Sequence, residues 1–360
     1  MRIALVHDYL NQYGGAERVL EVLHDMFPQA PVYTSIYDPA AMPANYRAWD
    51  IRTSFMQKLP GWRKHFRKYF LLYPSAFEAF DLSEYDLVIS SSSAYAKGVI
   101  TAPGARHLCY CHTPMRFAWR SANYIEREQI GRLMGAVLPL FLTYVRLWDV
   151  QTAGRVDHFV ANSQTTEQRI RHFYRREASV LPPPVELEPF APREPEDFYL
   201  VGGRLVPYKR IDLAVRACTR LGLPLVVFGE GRDRASLEKI AGPTVRFVGR
   251  VDDPTLRDLY ARCRAYLMTG EEDAGIQPVE AMGAGRPVIA YGAGGALDIV
   301  VEGETGRFFG AQTVDSLIAA IQAGQGDRYD PAALRRHAEQ FARPMFEQRL
   351  REQIERLLDA

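Results

Sequence analysis

The sequence predicts an α/β protein of two Rossmann-like, doubly wound domains facing a cleft. Three observations predict it. Short apolar runs alternate with helical patterns along most of the chain, the mark of parallel βαβ units. That alternation breaks at 182–195, where six prolines fall in fourteen residues, and then restarts. Glycine-rich turns follow strand after strand, and in open α/β sheets ligands bind at the carboxyl ends of strands.

The elements follow in order. Residues 2–7 (RIALVH) form a short apolar run, as expected for a strand buried on both faces. Gly14-Gly15 then turns into a helix from Ala16 to about Met26. YDLVISS (85–91), RHLCYC (106–111) and DHFVANS (157–163) read as further buried strands, with helical stretches around 127–148 and 164–174. The prolines at 182–195 lack amide donors and restrict their neighbours, which makes a stiff linker. Beyond it come DFYLVGG (197–203) and the helix IDLAVRACTRLG, stopped by Gly222. LPLVVFGEG and TVRFVGR are strands. Asp253-Pro254 opens a helix that runs to about Arg264. AYLMT, PVEAMGAG, RPVIAYG and GGALDIV complete strand, helix, strand, helix.

Composition narrows the class. The 360 residues are 47% hydrophobic and 24% charged, with net charge +1, which excludes disorder and fibre. The near-zero balance gives no whole-protein case for nucleic acid. Lysine is used unevenly: only Lys58, Lys64, Lys68, Lys97, Lys209 and Lys239 occur, so 38 of the 44 basic residues are Arg. Four cysteines, with Cys109 and Cys111 on one buried strand and no recurring C-x-x-C pair, point away from disulfides and structural zinc and toward a reducing cytosol. MRIALVHDYL reads as a first strand rather than a targeting segment. The longest apolar run, Leu133 to Val145, is too short to span a bilayer and contains Pro139.

Four constellations carry chemistry. Gly14-Gly15-Ala16-Glu17 puts amides before a helix N-terminus, which favours an anion; it equally suits a tight turn needing glycine at positive φ. In VGGRLVPYKR, Gly203 lets backbone approach a ligand, and the cations Arg204 and Lys209 suit a diphosphate. In EEDAGIQPVEAMGAG, the turn Gly275–Gln277 feeds a helix N-terminus, and Glu272 and Glu280, the latter placed in the first turn, face one cleft where carboxylates accept hydrogen bonds from sugar hydroxyls. His112 ends a buried strand just before Thr113-Pro114, a place from which histidine can bond a substrate or handle a proton.

These residues together resemble the retaining, family-four glycosyltransferases of the GT-B fold. The block E-D-A-G-I-Q-P-V-E, with its glutamates eight apart, is similar to that family's signature, and G-G-R-L-V-P-Y-K-R to its phosphate clamp. Within the family, HDYLNQYGGAERVL, FDLSEYDLVISSSSAYAKGV, YCHTPMRFAW and GRLVPYKRIDLAV look most like the WbaZ-like mannosyltransferases, which build bacterial O-antigen and related polysaccharides from GDP-mannose. Related enzymes use UDP-glucose or other UDP-sugar donors.

The resemblance implies an N-terminal acceptor-binding domain at 1–185, a nucleotide-sugar-binding domain at 186–340, and a terminal helix at 341–360 that crosses back to the first. It implies that Arg204 and Lys209 neutralise the diphosphate as it leaves. Glu280 would bind the ribose, and Glu272 with amides at Ala274, Gly275 and Ile276 would hold the hexose and distal phosphate. His112 would contact the donor hexose near the reacting carbon, and Gly15 would let the first loop approach donor and acceptor. Arg250 and Val251 lie where the family holds the base. Many members carry an aromatic residue where this chain has Ala274. The implied chemistry needs no metal and no cofactor beyond GDP-mannose as co-substrate. Its partners are a nucleotide-sugar donor and a glycan or polyprenyl-diphosphate-linked acceptor, with no nucleic acid. No carboxylate is clearly dedicated as a nucleophile, Glu272 being the nearest, so the expected course is front-face displacement.

Residues 58–73, KLPGWRKHFRKYFLLY, mix Lys58, Arg63, Lys64, Arg67 and Lys68 with aromatics at helical spacing. That pattern suits an interface helix meeting an anionic membrane surface, and with it a cytoplasmic enzyme at the inner face of the plasma membrane. It suits equally a surface helix whose aromatics enter the core.

Overall fold

A computed structural model describes residues 1–119 and 132–359. The chain divides into two compact units, Met1–Pro182 with Glu347–Ala360, and Pro183–Phe346. Each unit is built on one parallel sheet in an α/β arrangement.

The first unit holds a seven-stranded sheet: β1 Ile3–His7, β2 Val32–Thr34, β3 Ile51–Thr53, β4 Leu87–Ser92, β5 Arg106–Cys111, β6 His158–Ala161 and β7 Ala178–Val180. Every pairing is parallel and the order is β3-β2-β1-β4-β5-β6-β7. The second unit has β8 Tyr199–Gly202, β9 Leu225–Phe228, β10 Val245–Gly249, β11 Ala265–Met268, β12 Val288–Tyr291 and β13 Gly306–Phe309, all parallel, in the order β10-β9-β8-β11-β12-β13. Chain direction across each sheet reverses beside its first strand, between β1 and β4 and between β8 and β11, which opens a crevice at the carboxyl ends there.

The apolar runs explain why both faces are covered. Successive side chains on a strand point to opposite faces. In the second sheet, Leu200, Val226, Phe228, Tyr266 and Met268 enter one core cluster, and their neighbours Tyr199, Val201, Val227, Ala265 and Leu267 enter the other. The three-residue strands VYT, IRT and ASV are too short to show such a run and go unseen in the sequence.

Other expectations change. Residues 58–73 are not one helix: short helical turns at Phe55–Lys58, Trp62–His65 and Phe66–Tyr69 are interrupted at Pro60-Gly61, where Gly61 takes φ +62°. Trp62 is buried, and Phe66, Tyr69 and Phe70 pack against the core cluster that holds Val6 and Val88. The aromatics therefore serve the core, and the cations are left outside. Part of the helix expected at 127–148 falls outside the described residues; the helix seen is Arg132–Ala153. The proline segment is pinned onto the second unit rather than spanning freely. Leu187 and Phe190 are buried in its core, and the Arg335 guanidinium donates to the backbone oxygens of Leu187, Phe190 and Gly283. The last helix, Arg343–Asp359, starts in the second unit, and Gln353 accepts a hydrogen bond from Ser179 Oγ at 2.7 Å in the first.

All four cysteines are free and buried. Burial pushes the Cys218 and Cys263 thiols up to about 12, so they stay protonated.

His107 on β5 makes stability pH-dependent. It is fully buried, with Nε2 2.8 Å from Ser90 Oγ and Nδ1 without a partner. Burial lowers its pKa to about 4, against 6.5 for the free side chain. Between those values the unfolded chain binds the proton and the folded chain does not. Stability is therefore fully present above pH 6.5 and falls as pH drops toward 4. Unfolding in urea is expected to cost about 2 kcal/mol less at pH 5 than at pH 7.5 on this account. The four tryptophans, at 49, 62, 119 and 148, all lie in the first unit, so their fluorescence reads the relevant transition. His107→Gln flattens the slope; an unchanged slope would exclude His107 as its source.

Candidate active site

In the second unit Lys209 and Glu272, two of the expected residues, meet at the β8/β11 crevice. β8 ends at Gly202, and Gly203 takes φ +105°, a conformation that favours glycine. The turn runs into a single helical turn, Pro207–Lys209, held where Thr269 Oγ1 donates to the Lys209 carbonyl at 2.9 Å. Lys209 is nearly buried. Its Nζ lies 3.0 Å from Glu272 Oε1 and donates to Gln277 Oε1 at 2.9 Å.

Gln277 is the residue that sequence reasoning missed. Its Oε1 also accepts from Tyr266 Oη at 3.0 Å. Burial, then the charges of Glu272 and Glu280, push the Tyr266 phenol well above its ordinary pKa, so it stays a donor. With both donors on the oxygen, the Gln277 amide nitrogen faces the Gly203 turn. A Cβ on Gly203 would stand 3.0 Å from that nitrogen and 3.1 Å from Lys209 Nζ. The cluster is thus closed against any residue larger than glycine at 203. The signal available in sequence was the position of Gln277 inside the E-D-A-G-I-Q-P-V-E block.

The helix Ile276–Gly283 follows, with Gly275 as its N-cap and no side chain capping its first amides. Such a terminus carries partial positive charge. Gly275 is buried; Ala274 and Ile276 are partly buried. The helix starts at Ile276, so Glu280 sits in its second turn and not its first. A dipole role for Glu280 weakens accordingly, because that effect fades within a turn. Glu280 is nearly buried all the same.

Arg204 stands apart from the cluster, exposed, with Nη2 3.4 Å from Tyr208 Oη. Arg250 follows β10 and is exposed, while Val251 packs against the core.

The first unit builds a second polar group at its own crevice. His7 ends β1 and is the register partner of Ser91 on β4. Ser91 Oγ lies 3.1 Å from His7 Nδ1 and 2.8 Å from His112 Nε2, and His7 Nε2 lies 3.6 Å from Glu17 Oε1. All four side chains are buried. The Ser91 hydroxyl thus bridges the two imidazoles, and Glu17 faces the far nitrogen of His7. Beside it, the Asp8 carboxylate accepts four backbone amides, from Ser93, Ala94, Tyr95 and Ala96, at 2.6 to 3.0 Å, fixing the loop after β4.

Gly15 is the first residue of the helix Gly15–Met26. The positive-φ reading of this turn fails: Gly14 has φ −160°, extended backbone open to any residue. A Cβ on Gly14 would stand 3.3 Å from Glu17 Oε2, so what glycine provides there is room beside a buried carboxylate.

Among the described residues no three His, Cys, Asp or Glu side chains group as a metal site requires.

Two family models match the chain, "Glycosyltransferase Family 4" over residues 13–189 and "Glycosyl transferases group 1" over 185–341. The chain is 37% identical over 122 residues to a GDP-mannose-dependent alpha-mannosyltransferase of Mycolicibacterium smegmatis, covering 34% of this chain and 32% of that protein. It is 33% identical over 165 residues to a glycogen synthase of Mycobacterium tuberculosis, 42% of this chain and 39% of that one. The matched stretches thus span roughly a third of these relatives' lengths. Among solved structures, Anabaena Alr3699/HepE in complex with UDP-glucose matches with TM-score 0.71 at 18% identity, over 99% of this chain and all of that one, a likeness of fold.

Proposed function

From the premise that the chain belongs to the group 1 and family 4 glycosyltransferases, whose two models together span residues 13–341, we propose that it is a retaining alpha-mannosyltransferase of the WbaZ-like group. It moves mannose from GDP-mannose to a lipid-linked or other glycan acceptor in bacterial polysaccharide or O-antigen synthesis. The observation that carries the reading is the Lys209–Glu272–Gln277 cluster at the β8/β11 crevice. Mannose and guanine rest on the 37% identity to GDP-mannose-dependent relatives.

The roles we assign are those the family resemblance implies, and the geometry of the Lys209 cluster supports them. Lys209 can offer its remaining hydrogen to the distal phosphate while Glu272 and Gln277 hold the other two. Arg204, on its exposed turn, closes on the diphosphate from outside. The uncapped amides at Ala274, Gly275 and Ile276 point the helix's positive end at the same anion. Glu272 also accepts from hexose hydroxyls, and Glu280 from the ribose. Arg250 and Val251 border the base. In the first unit, His112 contacts the donor hexose near the reacting carbon, and Gly15 lets the first loop approach donor and acceptor.

In the reaction, the bond from the anomeric carbon to the phosphate oxygen breaks as the acceptor oxygen attacks on the same face. The acceptor proton passes to the departing phosphate, which leaves as GDP. Charge grows on the diphosphate in the transition state, where Lys209 and Arg204 act. No metal is required in this scheme.

The test is nucleoside diphosphate release from GDP-mannose, UDP-glucose and UDP-GlcNAc, with a polyprenyl-diphosphate-linked glycan as acceptor and with chelator present. GDP-mannose is expected to give the highest kcat/KM, unchanged by chelator. Preference for a UDP-sugar, in line with the glycogen synthase likeness, would overturn the donor. Loss of activity with chelator would overturn the metal-free scheme.

A further inference from the structure

The helix Arg132–Ala153 turns an apolar face outward. Leu140, Tyr144 and Leu147 recur at i, i+4 and i+7 and are 69%, 51% and 67% exposed. Phe141 and Val150 flank them, also exposed. The polar side chains among them do not break the face. Thr143 Oγ1 donates to the Pro139 carbonyl of its own helix at 2.9 Å, and Arg146 Nε turns to the Ala118 carbonyl at 2.7 Å. The opposite side, with Leu142, Val145 and Trp148, is buried. A helix that serves its core on one side and stays apolar on the other has a partner for the second side. Among the described residues, no helix is long and apolar enough to cross a membrane.

The ground beside it is cationic. Phe70 and Phe141 have ring centroids 6.4 Å apart, which joins the apolar face to the segment around 58–72. Residues 51–77 contain no Asp or Glu. Lys58, Lys64, Arg67 and Lys68 are exposed, and among the described residues no ion pair engages them, whereas Arg63 is paired with Asp38 at 3.2 Å. A second copy of this chain docking face to face would bring this acid-free segment against its own image, and like charges across an interface are penalised. An anionic lipid surface matches both parts at once. Acyl chains take the leucines and the phenyl ring, and headgroup phosphates take the lysines.

We infer that Leu140, Tyr144 and Leu147, with the cations at Lys64, Arg67 and Lys68, form a face that binds anionic bilayers peripherally. This moves the membrane-inserting element from 58–73, whose aromatics are committed to the core, to the neighbouring helix. It stands independently of the donor assignment.

The experiment is flotation of the full chain with vesicles of phosphatidylcholine alone and of phosphatidylcholine with phosphatidylglycerol. The protein is expected to float with the anionic vesicles and to release at high salt. Lys64→Glu/Lys68→Glu is expected to lower partitioning on the order of tenfold or more. Leu140→Glu/Leu147→Glu is expected to abolish it, with circular dichroism unchanged because both sites are exposed. No flotation, or flotation unaffected by either variant, overturns the inference. So does a dimer in sedimentation equilibrium that the leucine variant dissociates, or salt-sensitive binding to duplex DNA in place of vesicles. None of these readouts uses turnover, so this face and the enzymatic reading fail separately.

Discussion

Lys209→Ala is expected to lower kcat with the preferred donor by roughly 10²- to 10³-fold, the usual loss when one preorganised group facing a developing negative charge is removed. Two effects act together. In the proposed scheme, the ammonium that would meet the leaving diphosphate is gone. The Glu272 carboxylate, 3.0 Å from Nζ in the parent, is left facing the same phosphate with like charge. KM rises as well, because the ground-state diphosphate already carries charge. Lys209→Arg is expected not to restore turnover. The guanidinium is a broad planar fork, and the space around Nζ is bounded by Gln277 at 2.9 Å and by the Gly203 backbone, where even a Cβ would be crowded. Steady-state kinetics of nucleotide release, with circular dichroism to show an intact fold, decide the matter. A kcat within about tenfold of the parent would remove Lys209 from the charge-stabilising role.

The parts of this site legible in sequence are those whose chemistry is local. The cations follow a strand and a glycine pair within one short segment, and both glutamates flank one turn. No folding is needed to see them as neighbours. Gln277 was in view but unmarked, because its value comes from bonding Lys209, 68 residues away, and Tyr266 at once. The His7–Ser91–His112 group was only one-third legible. His112 announces itself at a strand end, but His7 meets Ser91 across the β1/β4 register, 84 residues apart. That register is set by which strands pair, and nothing near either residue states it.

The same distinction explains the fold. β5, β8 and β9 are legible because strands buried on both faces read as short, mostly apolar runs without a polar alternation. Residues 58–73 mislead because core-facing aromatics separated by exposed cations mimic a helical period, while Pro60-Gly61 breaks the backbone that would carry it. Uneven lysine use divides into three cases. Lys209 lies in the candidate site, Lys58, Lys64, Lys68 and Lys239 face outward, and Lys97 is buried in the first unit beside Asp149.

Lys97 carries the largest expected effect on stability. It is 1% exposed, and its Nζ lies 2.5 Å from Asp149 Oδ1, which is fully buried. Nζ also donates to Thr152 Oγ1 at 3.2 Å and sits 5.0 Å from the centre of the Tyr174 ring. Asp149 accepts further from Trp119 Nε1 at 2.7 Å and from Tyr174 Oη at 3.0 Å. Removing one partner of such a pair strands a charge in a medium that cannot solvate it, so Lys97→Met is expected to destabilise the first unit by about 3–5 kcal/mol. The double variant Lys97→Met/Asp149→Leu is expected to recover part of that loss and not all of it. It removes the stranded charge, but it leaves the Trp119 and Tyr174 donors buried without an acceptor, at about 1–3 kcal/mol each. Trp119 adjoins the pair and every tryptophan lies in this unit, so urea unfolding followed by tryptophan fluorescence reads the transition without interference from the second. Lys97→Met within about 1 kcal/mol of the parent would show that the pair is solvated or dispensable. Full recovery in the double variant would show that the two aromatic donors find other acceptors once the carboxylate is gone.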